Sequence, residues 1–329
     1  MDRPDQPDRR RLSPGVDPTP EPGPPPEVAA PLRDDPVVAG LLGACTFPAP
    51  GAAVACGVSG GADSLSLLVL AAAAGLAVTA VHVDHGLRAG SAAEAEVVRA
   101  AAERFGAGFR AERVAVAPGP NLEARARTAR HAALPPGALL GHTADDRAET
   151  LLLNLLRGAG PTGLAALGPS PRRPILALRR RDTEGLCRHL GLVPVDDPSN
   201  RDPAFRRNRV RHELLPLLAA IAERDPVPLL VRQGDLFADL DRDLDGLAGA
   251  LDPASAAALR DAPTSVARAA LRRWFREAGV NGGYAPTAAA IERVLAVARH
   301  EVRATEVDGG WRITRRGGRL TLHPPDPPA

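Results

Sequence analysis

The feature that most constrains this chain is a hexapeptide, Ser-Gly-Gly-Ala-Asp-Ser at residues 59–64, which lies between two apolar runs. Residues 52–58 form a short run that contains two valines, which predicts a buried strand. Residues 65–74 are rich in Ala and Leu, as is typical of a helix packed on a sheet. A strand, a glycine turn and a helix N-terminus together predict an anion site, because backbone amides point inward and the helix dipole favours negative charge.

The hexapeptide is not a Walker A loop, since the pattern G-x-x-x-x-G-K-S/T is absent and the chain contains no lysine at all. Phosphate therefore has to be neutralised by amides, arginines or a metal ion. Asp63 on its own would repel phosphate, but it fits the loop if it holds Mg²⁺, which binds carboxylate and phosphate oxygens together. An ordinary strand–helix turn with an N-capping Asp or Ser is the alternative.

Composition divides the chain into a tail and a body. At 329 residues the chain is long enough for two domains and a tail. Residues 1–36 hold 11 of the 34 prolines and five Arg against eight Asp and Glu, a net charge of −3, which predicts a disordered tail. Because the whole chain has a net charge of +2, the remainder is about +5, which suits a nucleic-acid partner without requiring one.

Cysteine usage and hydropathy exclude some classes of protein. The three cysteines, Cys45, Cys56 and Cys187, form no CxxC pair, so neither a zinc site nor an iron–sulfur cluster is expected. No apolar run reaches about 20 residues, the length that spans a bilayer. We therefore predict a cytoplasmic protein without membrane segments.

Strand and helix patterns alternate after residue 52, which predicts an α/β fold: a doubly wound parallel sheet with a smaller, mainly helical second domain. In such sheets ligands bind beyond the carboxyl ends of the strands, and residues 59–64, 82–85 and 142–149 all follow predicted strands. The predicted strands are 52–58, 76–83, 109–116 and 138–142, and the helices between and after them are 65–74, 91–104, 121–133 and 144–156.

The second half of the chain is predicted to be mainly helical. We expect a loop at 158–174, a strand at 175–178, a helix at 182–190, a loop at 196–204, and a helix at 206–215 that Pro216 interrupts. A helical stretch at 217–251, a helix at 264–278 and a hairpin at 304–322 follow. The predicted domains are a tail at 1–36, an α/β domain with the candidate site at 37–216, a connector at 217–249 and a small second domain at 250–329.

Two acids and two histidines are further candidates for chemistry. Asp146 and Glu149 lie three residues apart at a predicted helix start, so both share one face, where they could bind a cationic substrate, hold a metal or act as a base. Compensation of the helix dipole is the alternative. His82 and His85 flank Asp84 at a strand end and suit a nucleotide-contacting loop, although such histidines are often only satisfied polar groups.

Two basic clusters follow these stretches. Residues 171–181 contain five Arg and no acid, and residues 201–211 contain five Arg and one Asp. A solvated basic face is one interpretation. RNA binding is the other, since each neutralised phosphate releases a counterion.

The ordered set of motifs resembles the tRNA(Ile)-lysidine synthetase family, which is part of the PP-loop superfamily of N-type ATP pyrophosphatases. The resemblance spans about residues 52–216, and it is looser beyond residue 217. The motifs are S-G-G-A-D-S at 59–64, V-D-H-G-L at 83–87, N-L-E-A-R-A-R at 121–127, H-x-x-D-D-x-x-E-T at 142–150, R-P at 173–174, D-P-S-N at 197–200 and R-N-x-x-R at 207–211. The acidic tail lies outside the family pattern, and the chain ends before a further C-terminal domain that some members carry.

This resemblance implies a ligase that adenylates the C2 oxygen of the wobble cytidine in a CAU anticodon and then joins free L-lysine to C2. It implies ATP and Mg²⁺ as cofactors, tRNA(Ile) and L-lysine as partners, and it allows for a homodimer. Asp63, Asp146 and Glu149 would be catalytic, with Mg²⁺ on Asp63 and lysine on the other two acids. ATP would bind Ser59, Gly60, Gly61, Ala62, Asp63, Ser64 and His85, and the phosphates of ATP or tRNA would meet Arg127, Arg173, Arg207 and Arg211.

Rival functions are kept open. A PP-loop tRNA 2-thiolase usually carries cysteine pairs, and an amidating synthetase needs an ammonia source, neither of which is evident in the sequence. A non-catalytic protein that binds RNA or nucleotide is the alternative from a different class. ATP–pyrophosphate exchange that depends on tRNA would separate an enzyme from a binder.

Overall fold

The computed structural model describes residues 32–84, 91–114, 125, 129, 132–165, 167–280 and 286–325. The chain divides into two compact units: the first comprises residues 1–142 and 171–196, and the second comprises residues 143–170 and 197–329. These units are defined by packing and do not test the predicted functional boundaries at residues 216 and 249, which stay a prediction.

The first unit is built on a parallel sheet of four strands in the order β3-β2-β1-β4. The strands are β1 (Ala53–Gly57), β2 (Ala77–Asp84), β3 (Gly108–Arg113) and β4 (Leu139–Leu140), and the helices are α1 (Pro36–Leu42), α2 (Ala62–Ala73), α3 (Ser91–Arg104) and, farther along the chain, α6 (Arg180–His189). The predicted α/β class with a parallel sheet is confirmed. The predicted helix at 121–133 lies largely outside the described residues.

Helix α2 is the centre of this unit's hydrophobic core. Every residue of α2 from Ser64 to Ala73 is buried, which accounts for its all-round Ala and Leu composition. Valines and alanines of β1 and β2 and the apolar side of α6 pack in the same cluster. The sheet and α6 therefore fix the position of the α2 N-terminus, where the hexapeptide ends.

Two strand predictions need correction in this unit. Residues 175–178 do not form a strand: Leu176 N–H bonds Arg173 O at 3.2 Å and Leu178 N–H bonds Ile175 O at 3.0 Å, which are turn bonds. The run is apolar because Ile175, Leu176 and Leu178 are buried, and burial alone does not distinguish a strand from a packed turn. Strand β4 is also shorter than the predicted 138–142, since only two of its residues pair with β1.

The second unit is mainly helical. Its helices are α4 (Ala144–Leu155), α5 (Pro161–Leu164), α7 (Arg206–Arg209), α8 (Leu215–Ala222), α9 (Val227–Gly249), α10 (Ala256–Asp261), α11 (Thr264–Glu277) and α12 (Ala288–Ala298). The short helix α5 lies inside the segment predicted to be a loop at 158–174, because Pro161 starts a turn there. A 3₁₀ turn, Pro198–Arg201, lies in the predicted loop at 196–204.

Pro216 does not interrupt the helix as predicted. A π-helical turn, Val210–Leu214, joins α7 to α8, and Pro216 lies in the first turn of α8, where a missing N–H is tolerated. The chain leaves the helical conformation at Glu223, whose φ is 52°, before α9 begins. The predicted helical stretch at 217–251 is thus two helices with a break at residues 223–226.

The C-terminal part of the second unit packs α10, α11 and α12 on an antiparallel sheet of three strands, β5 (Ala304–Val307), β6 (Trp311–Arg316) and β7 (Arg319–His323). The predicted hairpin is confirmed at Gly317 and Gly318, whose φ values of 56° and 76° suit a tight turn. Strand β5 is an additional strand within the predicted range. Within the described ranges, every helix falls short of the length and apolar character needed to cross a bilayer.

Candidate active site

The hexapeptide turns sharply between β1 and α2. Gly60 has φ = 88°, a conformation that glycine adopts without strain. Its carbonyl accepts a hydrogen bond from Val195 N–H at 3.0 Å, and a β-carbon at residue 60 would lie 2.8 Å from Val195 Cγ2. Gly61 is the N-cap of α2. Because glycine has no side chain, no N-cap side chain accepts a hydrogen bond from the first backbone amides of α2.

The Ser64 side chain stabilises the hexapeptide loop through hydrogen bonds within the loop. Its hydroxyl donates to Gly61 O at 2.9 Å and accepts from Ser59 N–H at 3.1 Å, and the Ser59 hydroxyl lies 3.2 Å from the same oxygen. One hydroxyl proton and two lone pairs satisfy all three contacts when the Ser59 hydroxyl is the donor. The loop is therefore held in its curved form by its own side chains, before any ligand binds.

Gly141, directly after β4, packs against the start of α2. A β-carbon at this position would lie 2.8 Å from Asp63 O and 3.1 Å from Ser64 Cα. These contacts are with backbone atoms, which cannot rotate out of the way as a side chain does. The end of β4 and the hexapeptide thus meet at the carboxyl edge of the sheet, as the positions of both stretches after strands predicted.

Asp63 lies in the first turn of α2, where the helix dipole favours its negative charge. Its Oδ1 accepts a hydrogen bond from the Thr183 hydroxyl at 2.5 Å, and its Oδ2 lies 3.5 Å from Arg180 Nε. The Asp63 side chain is 23% exposed, so solvent and ligands reach it. Both partners belong to the first turn of α6.

The surroundings of Asp63 fit Mg²⁺ that is shared with a nucleotide. In the part of the chain that the structure describes, no three His, Cys, Asp or Glu side chains form a set that could hold a metal. Magnesium in nucleotide enzymes is usually held by one or two carboxylates, with phosphate and water oxygens as its other ligands. A single accessible carboxylate beside an amide-lined loop meets that requirement.

Two further candidates from the sequence, His82 and Arg173, lie in the first unit in different surroundings. His82 is only 2% exposed, and its Nδ1 lies 3.0 Å from Val58 O, so it braces the end of β1 from within the sheet. Arg173 is half-buried next to Arg172, and burial followed by repulsion from Arg172 lowers the pKa of its guanidinium. His85 and Arg127 lie outside the described residues.

The predicted acids of the second unit lie on α4. Asp146 closes a capping box with Thr143, since Asp146 Oδ2 accepts from Thr143 N–H at 2.9 Å and lies 3.3 Å from its hydroxyl. Glu149 follows one turn later and is fully buried. The spacing of three residues places both carboxylates on one face, as predicted.

Two predicted phosphate-binding arginines pair with these acids. Arg207 donates from Nε to Glu149 Oε2 at 2.7 Å and from Nη2 to Asp146 Oδ1 at 3.0 Å. Arg211 donates to Glu149 through Nε at 2.7 Å and through Nη2 at 3.1 Å. We call Asp146, Glu149, Arg207 and Arg211 the acid–arginine cluster.

The acid–arginine cluster is formally neutral, and its pairing explains how Glu149 can be buried at all. An isolated buried carboxylate is costly, whereas one that accepts three charge-assisted hydrogen bonds is compensated. The same geometry shows that the predicted basic segment 201–211 is partly neutralised within the protein. Arg209, between the two cluster arginines, is in turn paired with Glu213 at 3.0 Å.

Sequence reasoning missed the role of α6. From the sequence, Arg180 is only one member of a basic segment with two interpretations, a solvated face or RNA binding, and Thr183 does not stand out. Neither carries a local motif, because both reach Asp63 across more than 115 residues of sequence. The nearest available signal was the position of Arg180 and Thr183 in the first turn of a helix that follows a buried apolar run.

The three cysteines are free thiols, and Cys187 lies beside the hexapeptide, with its Sγ 3.6 Å from Ala62 O. Burial raises the pKa of the Cys45 and Cys56 thiols to about 12 and also raises the pKa of Cys187. A thiol with a pKa of about 12, as for Cys45 and Cys56, stays protonated near neutral pH and is a poor nucleophile or metal ligand. The expectation of no zinc site or iron–sulfur cluster stays a prediction.

Two family models match the chain. A PP-loop domain matches residues 40–218, and a TilS substrate binding domain matches residues 255–321. The first covers more than half of the chain and contains the hexapeptide, α6 and the acid–arginine cluster. PP-loop proteins of this type use ATP.

Curated relatives agree with both matches. The chain is 40% identical over 296 residues to tRNA(Ile)-lysidine synthase of Nocardia farcinica, covering 84% of this chain and 93% of that protein. It is 39% identical over 308 residues to the enzyme of the same name from Salinispora arenicola, covering 84% and 91%.

A solved structure is also similar, at a lower level. The U34-tRNA thiolase NcsA from Methanococcus maripaludis has a TM-score of 0.48 and 16% identity, covering 61% of this chain and 78% of that chain. The assignment depends instead on the sequence relatives and the two domain matches, which extend from the hexapeptide to the C-terminal sheet. The chain belongs to the tRNA(Ile)-lysidine synthase family.

Proposed function

We propose that this chain converts the wobble cytidine of a tRNA(Ile) with a CAU anticodon to lysidine, using ATP and free L-lysine and releasing AMP and pyrophosphate. The observation that carries the proposal is the 40% identity to a tRNA(Ile)-lysidine synthase across 93% of that protein. The self-tied hexapeptide loop supports it, because an ATP pyrophosphatase needs a preformed cradle of amides for phosphate.

The first step is adenylation of the base. The C2 oxygen of cytidine attacks the α-phosphorus of ATP, an O–P bond forms, and the bond to the β-phosphate oxygen breaks, so that pyrophosphate leaves with the electron pair. The amides of Gly60, Gly61, Ala62, Asp63 and Ser64 would hold the phosphates, together with Ser59 and His85. Mg²⁺ held by Asp63 would offset the charge that develops on pyrophosphate.

The second step joins lysine to the activated base. The ε-amine of lysine, once deprotonated, forms a bond to C2, the C2–O bond breaks, and AMP leaves with the electron pair. Asp146 and Glu149 would bind the ammonium groups of lysine, and one of them would take the proton from the attacking amine. In the ligand-free protein these two carboxylates already hold cations, the guanidinium groups of Arg207 and Arg211.

An ammonium group and a guanidinium group compete for the same carboxylate oxygens. We therefore propose that lysine displaces part of the arginine pairing, and that the displaced arginines turn to phosphates of ATP or the anticodon loop. Arg127 and Arg173 would add further phosphate contacts. The target base must be unstacked to reach the reacting atoms, as in other enzymes that act on a base.

The remaining partners follow from the reaction. The tRNA would contact the predicted domain at 250–329, part of which matches the substrate binding domain model. All substrates of the reaction are found in the cytoplasm, where we propose the protein acts. A homodimer stays a prediction.

The direct test is incubation with CAU-anticodon tRNA(Ile), ATP, Mg²⁺ and labelled lysine, followed by nucleoside analysis. We expect label in lysidine, none with a tRNA that carries uridine at the wobble position, and none with Asp63→Asn. Label-free tRNA with the wild-type protein would refute the proposal.

The rival functions have their own readouts. A thiolase would place sulfur on the base and use cysteine, which the buried thiols of this chain disfavour. A non-catalytic binder would retain tRNA but show no tRNA-dependent exchange of labelled pyrophosphate into ATP. Wild-type exchange above the level of Asp63→Asn would exclude the binder.

A further inference from the structure

A fully buried hydroxyl lies behind the predicted metal-binding carboxylate. Thr183, in the first turn of α6, is 0% exposed, and its Oγ1 is 2.5 Å from Asp63 Oδ1 and 2.8 Å from Arg180 O. A threonine hydroxyl has one proton, so it can donate to only one of these acceptors. The ionised carboxylate is the stronger acceptor, because hydrogen bonds to charged groups are shorter and stronger than those to neutral carbonyls.

The surrounding contacts fix Thr183 itself. The Ser66 hydroxyl of α2 donates to Thr183 O at 3.0 Å, and Cys187 Sγ, one turn along α6, lies 3.6 Å from Ala62 O. Together with the Thr183–Asp63 bond, these contacts hold α2 and α6 in one arrangement. A carboxylate bonded to such a side chain has little freedom to rotate.

We infer that Thr183 is a positioning residue for Asp63: its hydroxyl fixes the carboxylate in the orientation that Mg²⁺ and ATP meet. This inference rests on the proposed function, because it assigns a role in the ATP site of the same enzyme. Partners behind a metal ligand matter energetically, and their loss typically lowers metal affinity about 10- to 100-fold. Arg180, at 3.5 Å from Oδ2, supplies positive charge beside Asp63 in the ligand-free protein.

The test compares Thr183→Val, which removes the hydroxyl at nearly constant shape, with Thr183→Ser, which restores it. Mn²⁺ is the probe, and its affinity for the complex with a non-cleavable ATP analogue is measured by electron paramagnetic resonance. We expect Thr183→Val to weaken Mn²⁺ binding about 10-fold or more and Thr183→Ser to stay within about threefold of wild type.

Ser66→Ala is the matched control, because it removes a buried hydrogen bond from the same α2–α6 interface without touching Asp63. We expect it to leave the Mn²⁺ affinity within about threefold of wild type, because the Thr183 hydroxyl still donates to Asp63. Equal affinity for Thr183→Val and wild type would overturn the inference, and so would an equal loss in Ser66→Ala. If Thr183→Val does not fold, Thr183→Ala gives the same comparison.

A second readout separates this inference from the proposed function. The Mg²⁺ concentration for half-maximal tRNA-dependent ATP–pyrophosphate exchange should rise about 10-fold in Thr183→Val, with the rate recovering at saturating Mg²⁺. Failure of the wild-type protein to form lysidine would refute the proposed function, while the Mn²⁺ comparison would still decide the role of Thr183.

Discussion

The hexapeptide loop and the acid–arginine cluster handle charge in opposite ways. In the loop, hydroxyl and amide groups fix the backbone, and the single carboxylate, Asp63, is left 23% exposed at the surface. In the cluster, two carboxylates and two guanidinium groups satisfy one another, and Glu149 is fully buried. The loop is formed before its ligand arrives, whereas the carboxylates of the cluster already hold cations.

Under the proposed function, this difference sets what each region requires of its substrate. Phosphate entering the loop gains amide contacts without breaking the bonds of Ser64 to the backbone. A cation entering the cluster has to replace an existing ion pair, so its binding energy is the difference between two similar interactions. The cluster is therefore suited to selecting one cation over another, and the loop is suited to holding a common anion.

The largest expected effect tests how far the cluster depends on pairing. Glu149→Gln should lower the free energy of unfolding by about 3–5 kcal/mol, because Arg207 and Arg211 lose the partner that compensates their partial burial. Urea denaturation would measure it. Glu213→Gln, which removes the carboxylate of the exposed ion pair with Arg209, should leave the urea midpoint of unfolding unchanged. A small effect of Glu149→Gln would mean that the cluster is not held by charge pairing.

The next prediction separates the two regions by their chemistry. Asp63→Asn should lower both tRNA-dependent ATP–pyrophosphate exchange and lysine incorporation. Asp146→Asn should spare the exchange, but at low lysine concentration it should lower lysine incorporation about 10- to 100-fold. The reason is that Asp146 would bind only the second substrate. Wild-type incorporation by Asp146→Asn at low lysine would contradict its assigned role.

A smaller effect tests the rigidity of the loop. Gly141→Ala places a methyl group 2.8 Å from Asp63 O, so the loop or the end of β4 must move, at a cost of about 1–3 kcal/mol. We expect a lower midpoint of thermal unfolding and weaker ATP binding, and calorimetry would measure both. Gly40→Ala, in α1, is the control: apart from its chain neighbours and the backbone of its own helix, nothing lies within 4 Å of the added carbon, so it should not weaken ATP binding.

The smallest effect concerns the cysteines, which belong to neither region. Burial raises the pKa of Cys45 and Cys56 from about 9 to about 12, so iodoacetamide at pH 8 should leave them unmodified in the folded protein and label all three cysteines in urea. Since the folded pKa is the higher one, the thiols' contribution to stability is present below pH 9 and declines as the pH rises towards 12. Rapid labelling of the native protein would show that the thiols are accessible.

Local patterns predicted much of the fold. The alternation of apolar runs and helices after residue 52 gave the parallel sheet, and the double glycine at 317–318 gave the hairpin. The strand predicted at residues 175–178 was wrong, because a buried apolar run is the same signal in a strand and in a packed turn. The helix break predicted at Pro216 was also wrong, because the sequence does not reveal the π turn that precedes this residue.

The candidate acids are easier to pick out in the sequence than the residues that pair with them. Asp63, Asp146 and Glu149 stood out because acids at helix starts after strands are chemically conspicuous. Their partners Thr183, Arg207 and Arg211 lie 58 to 120 residues away, and pairing over that distance depends on the tertiary fold. The arginines were read as available for phosphate, and their occupation by Glu149 is visible only in three dimensions.

The π turn at Val210–Leu214 has a consequence for how this segment tolerates length changes. It holds one residue more per turn than an α-helix does, and it contains Arg211 of the cluster. A regular α-helix turns about 100° per residue, so losing one residue from it rotates everything downstream by that angle. The π turn instead absorbs its extra residue locally, so deleting one of its residues other than Arg211 would return the backbone to α geometry with little rotation downstream. Leu215 would keep its hydrophobic contacts with Val210 and Val227, so this short stretch should tolerate the loss of one residue better than the regular helices beside it.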